Sequence, residues 1–202
     1  MIRLDNIKLA FGSRTLISDA SAHFTTGEMV ALLGRNGTGK STLLRAIVGL
    51  GTTQCGDIYI GGDNAKDLSA AQRAERIAYV NTERVDVDAL TVRELVSIGR
   101  SPYTNWMGRL TAEDRDIVEQ AMVKVGVATF ADRRVETLSD GECQRAMIAR
   151  ALAQQTPIII LDEPTSFLDL PNRYELCRLL SDLAHKENKC ILFSTHELDI
   201  AL

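Results

Sequence analysis

Long apolar runs are missing. No stretch of the 202 residues approaches the roughly 18 apolar residues that cross a bilayer, so nothing reads as a membrane-spanning helix. The start, Met1–Leu9, alternates charged and apolar residues and has no signal-peptide core. These absences predict a protein that stays where it is made. Cysteine is scarce and scattered: Cys55, Cys143, Cys177 and Cys190 form no CxxC pair and have no histidine cluster nearby. That argues against zinc and for reduced thiols in a cytosolic protein. An excess of positive charge is also absent. The net charge of −4 excludes a protein held on nucleic acid by bulk charge, though not a local basic patch. No repeat, low-complexity tract or linker divides the chain, so residues 1–202 are expected to form a single domain. With 45% hydrophobic and 25% charged residues, the composition is that of an ordinary globular protein. A chain of this length buries roughly 70% of its unfolded surface and needs no metal or disulfide to fold.

What is present is an alternation of short apolar strands with helices. Met29–Leu33 is a compact apolar run that predicts a buried strand, and Ser41–Leu50 predicts a helix closed by Gly49 and Gly51. Ile2–Leu9 alternates with one slip, as a half-exposed antiparallel strand does. Asp57–Ile60 predicts a strand running into a turn at Gly61-Gly62. In the middle, Thr91–Arg100 and Thr111–Val125 carry apolar residues at helical spacing. A helix from Ser139 to about Gln154, the strand Ile158–Leu161, a helix from Pro171 to about Lys186 and a strand Cys190–Ser194 complete the pattern. Fully apolar strands alternating with helices predict an α/β fold with a parallel sheet covered on both faces, and a mainly helical insertion between its halves.

The residues with chemical meaning lie at strand ends. Gly34-Arg35-Asn36-Gly37-Thr38-Gly39-Lys40-Ser41 fits G-x-x-x-x-G-K-[ST], with a strand before it and a helix after it. Its glycines let successive amides face one point, and the helix dipole adds positive field. Lys40 is expected to reach β- and γ-phosphates and Ser41 to ligate Mg²⁺. The strand Ile158–Leu161 ends in Asp162 and Glu163. Asp162 is a candidate to hold Mg²⁺ through water, and Glu163 to orient or deprotonate an attacking water. His196 follows another apolar strand, 34 residues after Asp162. Adjacent parallel strands would bring the two together, and the imidazole could then bond a γ-phosphate or the lytic water. On its own, His196 reads equally as a surface histidine at a helix start. Ser139-x-x-Glu142 is a helix capping box.

The segment Leu138-Ser139-Asp140-Gly141-Glu142 also resembles the LSGGQ signature of ABC ATPases, with Asp162 23 residues after Ser139. The resemblance to ABC-transporter nucleotide-binding subunits covers essentially the whole chain. It implies a P-loop NTPase fold with a RecA-like parallel sheet, an antiparallel β subdomain and a helical subdomain inserted at about 83–150. Phe11 matches the aromatic that stacks on adenine, and Gly34–Thr42 the Walker A motif, so Gly34, Arg35, Asn36, Gly37, Thr38, Gly39, Lys40, Ser41 and Thr42 are expected at the nucleotide. Asp162 and Glu163 match Walker B, Ser166–Asp169 the D-loop, and His196 the switch histidine. Two copies are expected to sandwich ATP head to tail, with Ser139, Asp140, Gly141 and Glu142 facing ATP bound by the partner.

Gly99-Arg100-Ser101-Pro102 through Gly108-Arg109-Leu110 is similar to the subfamily that energises uptake of iron–siderophore, haem and cobalamin. This resemblance implies ATP and Mg²⁺ as cofactors and an integral membrane permease as partner. A substrate-binding protein is implied indirectly, nucleic acid is not, and the location is the cytoplasmic face of the cell membrane. Tyr103, Trp106 and Met107 are candidates for the permease contact. The chain departs from the pattern at three places. The family's Gln after Ile77–Val80 is replaced by Asn81-Thr82-Glu83, leaving Thr82 or Glu83 as the candidate metal ligand there. Asp140 and Glu142 replace Gly and Gln, placing carboxylates where a phosphate should arrive. The chain also stops six residues after His196, where family members continue, so a truncated C-terminus and a partly uncovered sheet end are expected. A soluble DNA-repair ATPase would need a long coiled coil between Lys40 and Ser139, which are only 99 residues apart with no heptads between them. A translation-type factor would carry two ATPase units, and one is seen. A nucleotide-binding regulatory subunit with little hydrolysis is the remaining alternative.

Overall fold

A computed structural model describes residues 1–81, 89–104 and 107–197, except the side chain of Phe11. Two four-stranded sheets carry the architecture. The first is antiparallel, in the order β2-β1-β4-β5, from β1 (Ile2–Phe11), β2 (Arg14–Phe24), β4 (Cys55–Ile60) and β5 (Asp63–Asn64). The second is parallel, in the order β3-β8-β7-β6, from β3 (Met29–Leu33), β6 (Ile77–Val80), β7 (Ile158–Leu161) and β8 (Cys190–Thr195).

The slip in β1 is a bulge. Ile2, Leu4, Ile7 and Leu9 are all buried, although strict alternation would turn Ile7 and Leu9 outward. Asn6 takes a left-handed backbone with φ 50°, and the pairing with β2 shifts register between Leu4 and Ile7. One extra residue thus restores the inward face.

The parallel sheet is two-sided. Along β7, Ile158 and Ile160 face one core while Ile159 and Leu161 face another. The first core is closed by the antiparallel sheet and by α1 (Lys40–Val48). The second is closed by α3 (Val92–Ser97), α4 (Ala112–Lys124), α5 (Asp140–Ala153) and α6 (Leu170–Glu187). A short α2 (Ala70–Ala74) precedes β6. Fully burying an aliphatic side chain of this size stabilises by about 1.5–3 kcal/mol, so β7 with four such residues is the anchor of the fold.

Two expectations need correction. Met29–Leu33 forms its strand, but it is only half-buried, with Leu33 43% exposed. Among the described residues β3 pairs with β8 alone, so one side of it lacks a strand neighbour. The helix expected over Thr91–Arg100 is α only to Ser97 and continues as a 3₁₀ turn, Ile98–Tyr103. Gly99 lies so close to the backbone of α5 that a Cβ there would collide with the Arg150 carbonyl. Glycine there lets the turn lie directly against α5.

Candidate functional site

The parallel sheet delivers its chemistry at one edge. β3 ends at Leu33, β7 at Leu161 and β8 at Thr195, and all three run the same way. The loops that follow therefore converge at the carboxyl ends of the strands, where open α/β sheets bind ligands. The Gly34 amide donates to the Thr195 carbonyl at 3.2 Å, fastening the glycine loop to the histidine segment.

The loop from Gly34 to Gly39 curls as its sequence predicts. Gly37 (φ 78°) and Gly39 (φ 100°) occupy left-handed backbone. Gly39 caps α1, and a Cβ on it would lie 2.9 Å from the Leu16 Cβ, so both its conformation and its space require glycine. The Thr38 hydroxyl closes the turn on the Arg35 carbonyl at 2.8 Å. Lys40 is buried, 6% exposed. Its Nζ donates to the carbonyls of Gly34 (2.7 Å) and Arg35 (3.2 Å) and lies 3.4 Å from Glu163 Oε1.

Asp162 is the buried hub. Its Oδ1 accepts from the Ser41 hydroxyl at 2.9 Å and from the Ser194 hydroxyl at 2.6 Å. The Tyr79 hydroxyl lies 3.5 Å from its Oδ2. Burial and then the Asp162 charge push the Tyr79 phenol up, against an opposing pull from Arg45. Ser194 Oγ also accepts from the Glu163 amide at 2.8 Å, so one hydroxyl orders both carboxylate residues. Glu163 itself has φ 44°, a left-handed conformation that costs a non-glycine residue of order 1 kcal/mol and that clusters at functional sites. Its Oε2 accepts from the Ser166 hydroxyl at 3.1 Å and lies 3.3 Å from His196 Nδ1.

Lys40, Ser41, Asp162, Glu163 and His196 are therefore one contiguous group. A cleft of about 520 Å³ opens beside it, lined by Asn36, Gly37, Gly39, Lys40, Ser41, Thr42 and Glu163. Arg14 and Leu16 of β2 line it too. The motifs single out neither of them, nor Tyr79 and Ser194, while Ser166, expected as the start of the D-loop, proves to bond Glu163. The hydroxyl that interrupts an apolar strand at Ser194 is the one signal that pointed to such a role. Phe11 ends β1, paired with Arg14, and its side chain lies outside the described residues. Thr82, Glu83 and Trp106 lie outside them as well. Tyr103 and Met107 are 41% and 49% exposed, and the Tyr103 hydroxyl is bound to the Gln154 carbonyl.

Ser139, Asp140, Gly141 and Glu142 are placed elsewhere, at the start of α5. Ser139 caps the helix: its hydroxyl accepts from the Glu142 amide, and Glu142 Oε2 accepts from the Ser139 amide at 2.8 Å. That amide, then the Ser139 hydroxyl and more weakly Arg133, hold the Glu142 carboxyl below its ordinary range. Gly141 faces Asn172 of α6, whose side chain donates to the cap residue Asp169 at 2.6 Å. None of residues 139–142 lines the cleft beside Lys40.

Ser41 and Asp162 together present a hydroxyl and a carboxylate, the hard oxygen donors that Mg²⁺ takes. No group of three or more His, Cys, Asp or Glu side chains is gathered for a metal among the described residues.

A family model described as ABC transporter matches residues 17–166. The chain is 41% identical over 196 residues to a cobalamin import ATP-binding protein of Halobacterium salinarum, covering 97% of this chain and 48% of that protein. It is 36% identical over 197 residues to an iron(3+)-hydroxamate import ATP-binding protein of Bacillus subtilis, covering 98% of this chain and 73% of that one. Its fold is similar to that of a dimeric ATP-binding cassette solved in a post-hydrolysis state with ADP and Pi. The TM-score is 0.85 at 28% identity, over 100% of this chain and 90% of the other. The chain thus spans about half the length of the first of these relatives. A glycine loop, an acidic strand end and a capped LSGGQ-like helix in this order and this fold have one common source: the chain belongs to the ABC transporter family.

Proposed function

We propose that the chain binds and hydrolyses ATP as the energising subunit of a membrane importer for iron–siderophore, haem or cobalamin. The observation that carries the reading is the convergence of Lys40, Ser41, Asp162, Glu163 and His196 at one sheet edge, around a cleft of about 520 Å³. The cargo class rests on the similarity to the cobalamin and iron-hydroxamate import proteins. The permease partner and the location on the cytoplasmic face rest on the same relatives. A substrate-binding protein would act through the permease. No helix among the described residues is long and apolar enough to cross a membrane, so the membrane path would belong to that permease.

The chemistry divides among the named groups. The amides of Gly34–Ser41 and the Lys40 ammonium bind the triphosphate, with adenine on Phe11. Ser41 and Asp162 would hold Mg²⁺, with Thr82 or Glu83 as a further candidate. When bound, the ion neutralises charge on the β- and γ-phosphates. Glu163 orients the attacking water and accepts its proton, and its fixed backbone keeps the carboxylate in place. His196 steadies Glu163 and the γ-phosphate. A second copy supplies Ser139, Asp140, Gly141 and Glu142 across the nucleotide. Residues of about 83–150 are read as the helical insertion that carries this segment, and the D-loop residue Asp169 lies beside it.

Two variants test the reading. Lys40→Ala is expected to weaken binding of a fluorescent ATP analogue at least 100-fold, and unchanged affinity overturns the loop assignment. Glu163→Gln is expected to bind ATP with wild-type affinity while phosphate release falls at least 100-fold; persisting release removes Glu163 as the base. A wild-type chain that binds ATP yet releases no phosphate, with its permease present, supports the regulatory alternative. The replaced Gln at Thr82 and the acidic Glu142 motivate that alternative.

A further inference from the structure

The first turn of α6 carries a cation that the nucleotide motifs do not include. Arg173 Nε donates to the Leu168 carbonyl at 2.6 Å, and its Nη1 donates to Glu197 Oε1 at 2.6 Å. These are short, charge-assisted bonds from one planar group. Both side chains of the Arg173–Glu197 pair are largely withdrawn from water, at 28% and 22% exposed. The two acceptors belong to two segments, and each segment reaches Glu163. The turn holding Leu168 does so through Ser166, whose hydroxyl bonds Glu163 Oε2. The segment holding Glu197 does so through His196.

His196 consequently sits between two carboxylates. Its Nδ1 is 3.3 Å from Glu163 Oε2, and its Nε2 is 4.0 Å from Glu197 Oε1. The Glu197 oxygen that faces the imidazole is the same atom that Arg173 holds. The Glu197 amide is fixed separately, donating to Thr195 Oγ1 at 3.1 Å. With the guanidinium removed, Glu197 keeps its backbone position but loses its cation, and His196, with Nε2 4.0 Å away, is a group able to replace it. Glu197 is only 22% exposed while His196 is 41% exposed, so that attraction is screened on one side alone and would draw the ring off Glu163.

We propose that Arg173 is a positioning residue: it engages Glu197 so that His196 stays directed at Glu163, and it ties that arrangement to the Leu168–Asp169 turn. The inference rests on the hydrolytic reading of the site. It also makes the turn before α6 a lever on His196, because one guanidinium bonds both the Leu168 carbonyl and Glu197, the chain neighbour of His196.

Steady-state hydrolysis by the purified chain with its permease tests the idea, using Arg173→Ala, Arg173→Lys and the double variant Arg173→Ala/Glu197→Gln. Arg173→Ala is expected to lower kcat about tenfold with the KM for ATP changed less than twofold. Arg173→Lys, which keeps the charge but not the fork, is expected to lose less. The double variant should recover at least half of the lost rate, because the released carboxylate is gone. A merely structural arginine would give no such rescue. An unchanged Arg173→Ala, or a double variant no faster than the single, overturns the proposal. A second measurement needs no turnover. With three histidines in the chain, the His196 ring signals can be followed by NMR at fixed pH. They should move in Arg173→Ala and return in the double variant, and signals that stay put overturn the inference even if hydrolysis is undetectable. Absent hydrolysis in the wild type would instead count against the proposed function.

Discussion

Ser139 and Glu142 hold each other through three contacts: two amide bonds of the capping box and a hydroxyl–carboxylate bond at 2.9 Å. The Ser139 hydroxyl is thus engaged with a carboxylate, at the place where the family signature carries Gln. Glu142 is also 3.1 Å from Arg133. Because its carboxyl is held below the ordinary glutamate range, Glu142 is charged at neutral pH. Its stabilising contribution is complete above the unfolded value and is lost only as pH falls through the lowered folded one. In the proposed pairing a phosphate approaching Ser139 would meet that negative charge, offset in part by Arg133. Glutamine can keep the capping box without it. Glu142→Gln is expected to raise the rate of ATP hydrolysis several-fold while the melting temperature falls by no more than a few degrees. Phosphate release at saturating ATP measures this, and an unchanged rate would mean that the carboxylate does not oppose the incoming nucleotide.

At the scale of elements, the joint between the 3₁₀ turn, α4 and α5 is held by a buried ion pair. Arg100 Nε lies 2.8 Å from Asp114 Oδ1, and both residues are 5% exposed. Arg100 also donates to the Ala153 carbonyl and to Gln155, and its guanidinium stacks on Tyr103 at 4.2 Å. From the same end of α5, Gln154 donates to the carbonyls of Ala74 and Ile77, and Arg150 donates to that of Tyr79. The helices are thereby pinned to β6. The Thr111 amide and hydroxyl, and then Arg100, lower the Asp114 carboxyl from 3.8 to about 2. The sign follows: the folded state holds the proton less tightly, so this stabilisation is full above about pH 4 and is lost between there and about pH 2. Asp114→Asn leaves a buried guanidinium without its counter-charge and is expected to cost about 3 kcal/mol at pH 7. Urea unfolding should show that difference narrowing at pH 3, and a pH-independent difference would rule out the ion pair as its source.

Elements of this kind mark what the sequence could and could not reveal. The apolar runs of β7 and β8 and the glycine loop were legible because burial and φ are local demands. The α6 helix was placed within a residue of its ends because Asp169 and Pro171 punctuate it. Strand β2 was missed because its inward positions Ala20 and Ala22 are small and its exposed face is mixed. Arg100, Tyr79, Ser194 and Arg173 were not legible as site or core residues. Their partners are set by the strand order β3-β8-β7-β6 and by helix packing, which no spacing along the chain encodes.

For the whole molecule, the Lys40 cleft and the start of α5 lie apart. The cleft beside Lys40 is lined by residues of β2, the glycine loop and Glu163, while Ser139–Glu142 lie at the start of α5 against Asn172. If both surfaces act on one nucleotide, each must come from a different copy, and a head-to-tail pair satisfies both at once. That pairing would be favoured by bound ATP and undone by its hydrolysis, since the γ-phosphate would be the group shared between copies. Glu163→Gln removes the proton acceptor but leaves Lys40, Ser41 and the glycine amides in place. This variant with ATP and Mg²⁺ is expected to elute from a sizing column as a dimer, and with ADP as a monomer. Adding Ser139→Arg, which puts bulk and charge at the helix cap, should return the ATP-bound variant to the monomer position. A dimer that forms equally with ADP, or that survives Ser139→Arg, would place the contact between copies somewhere other than the shared phosphate.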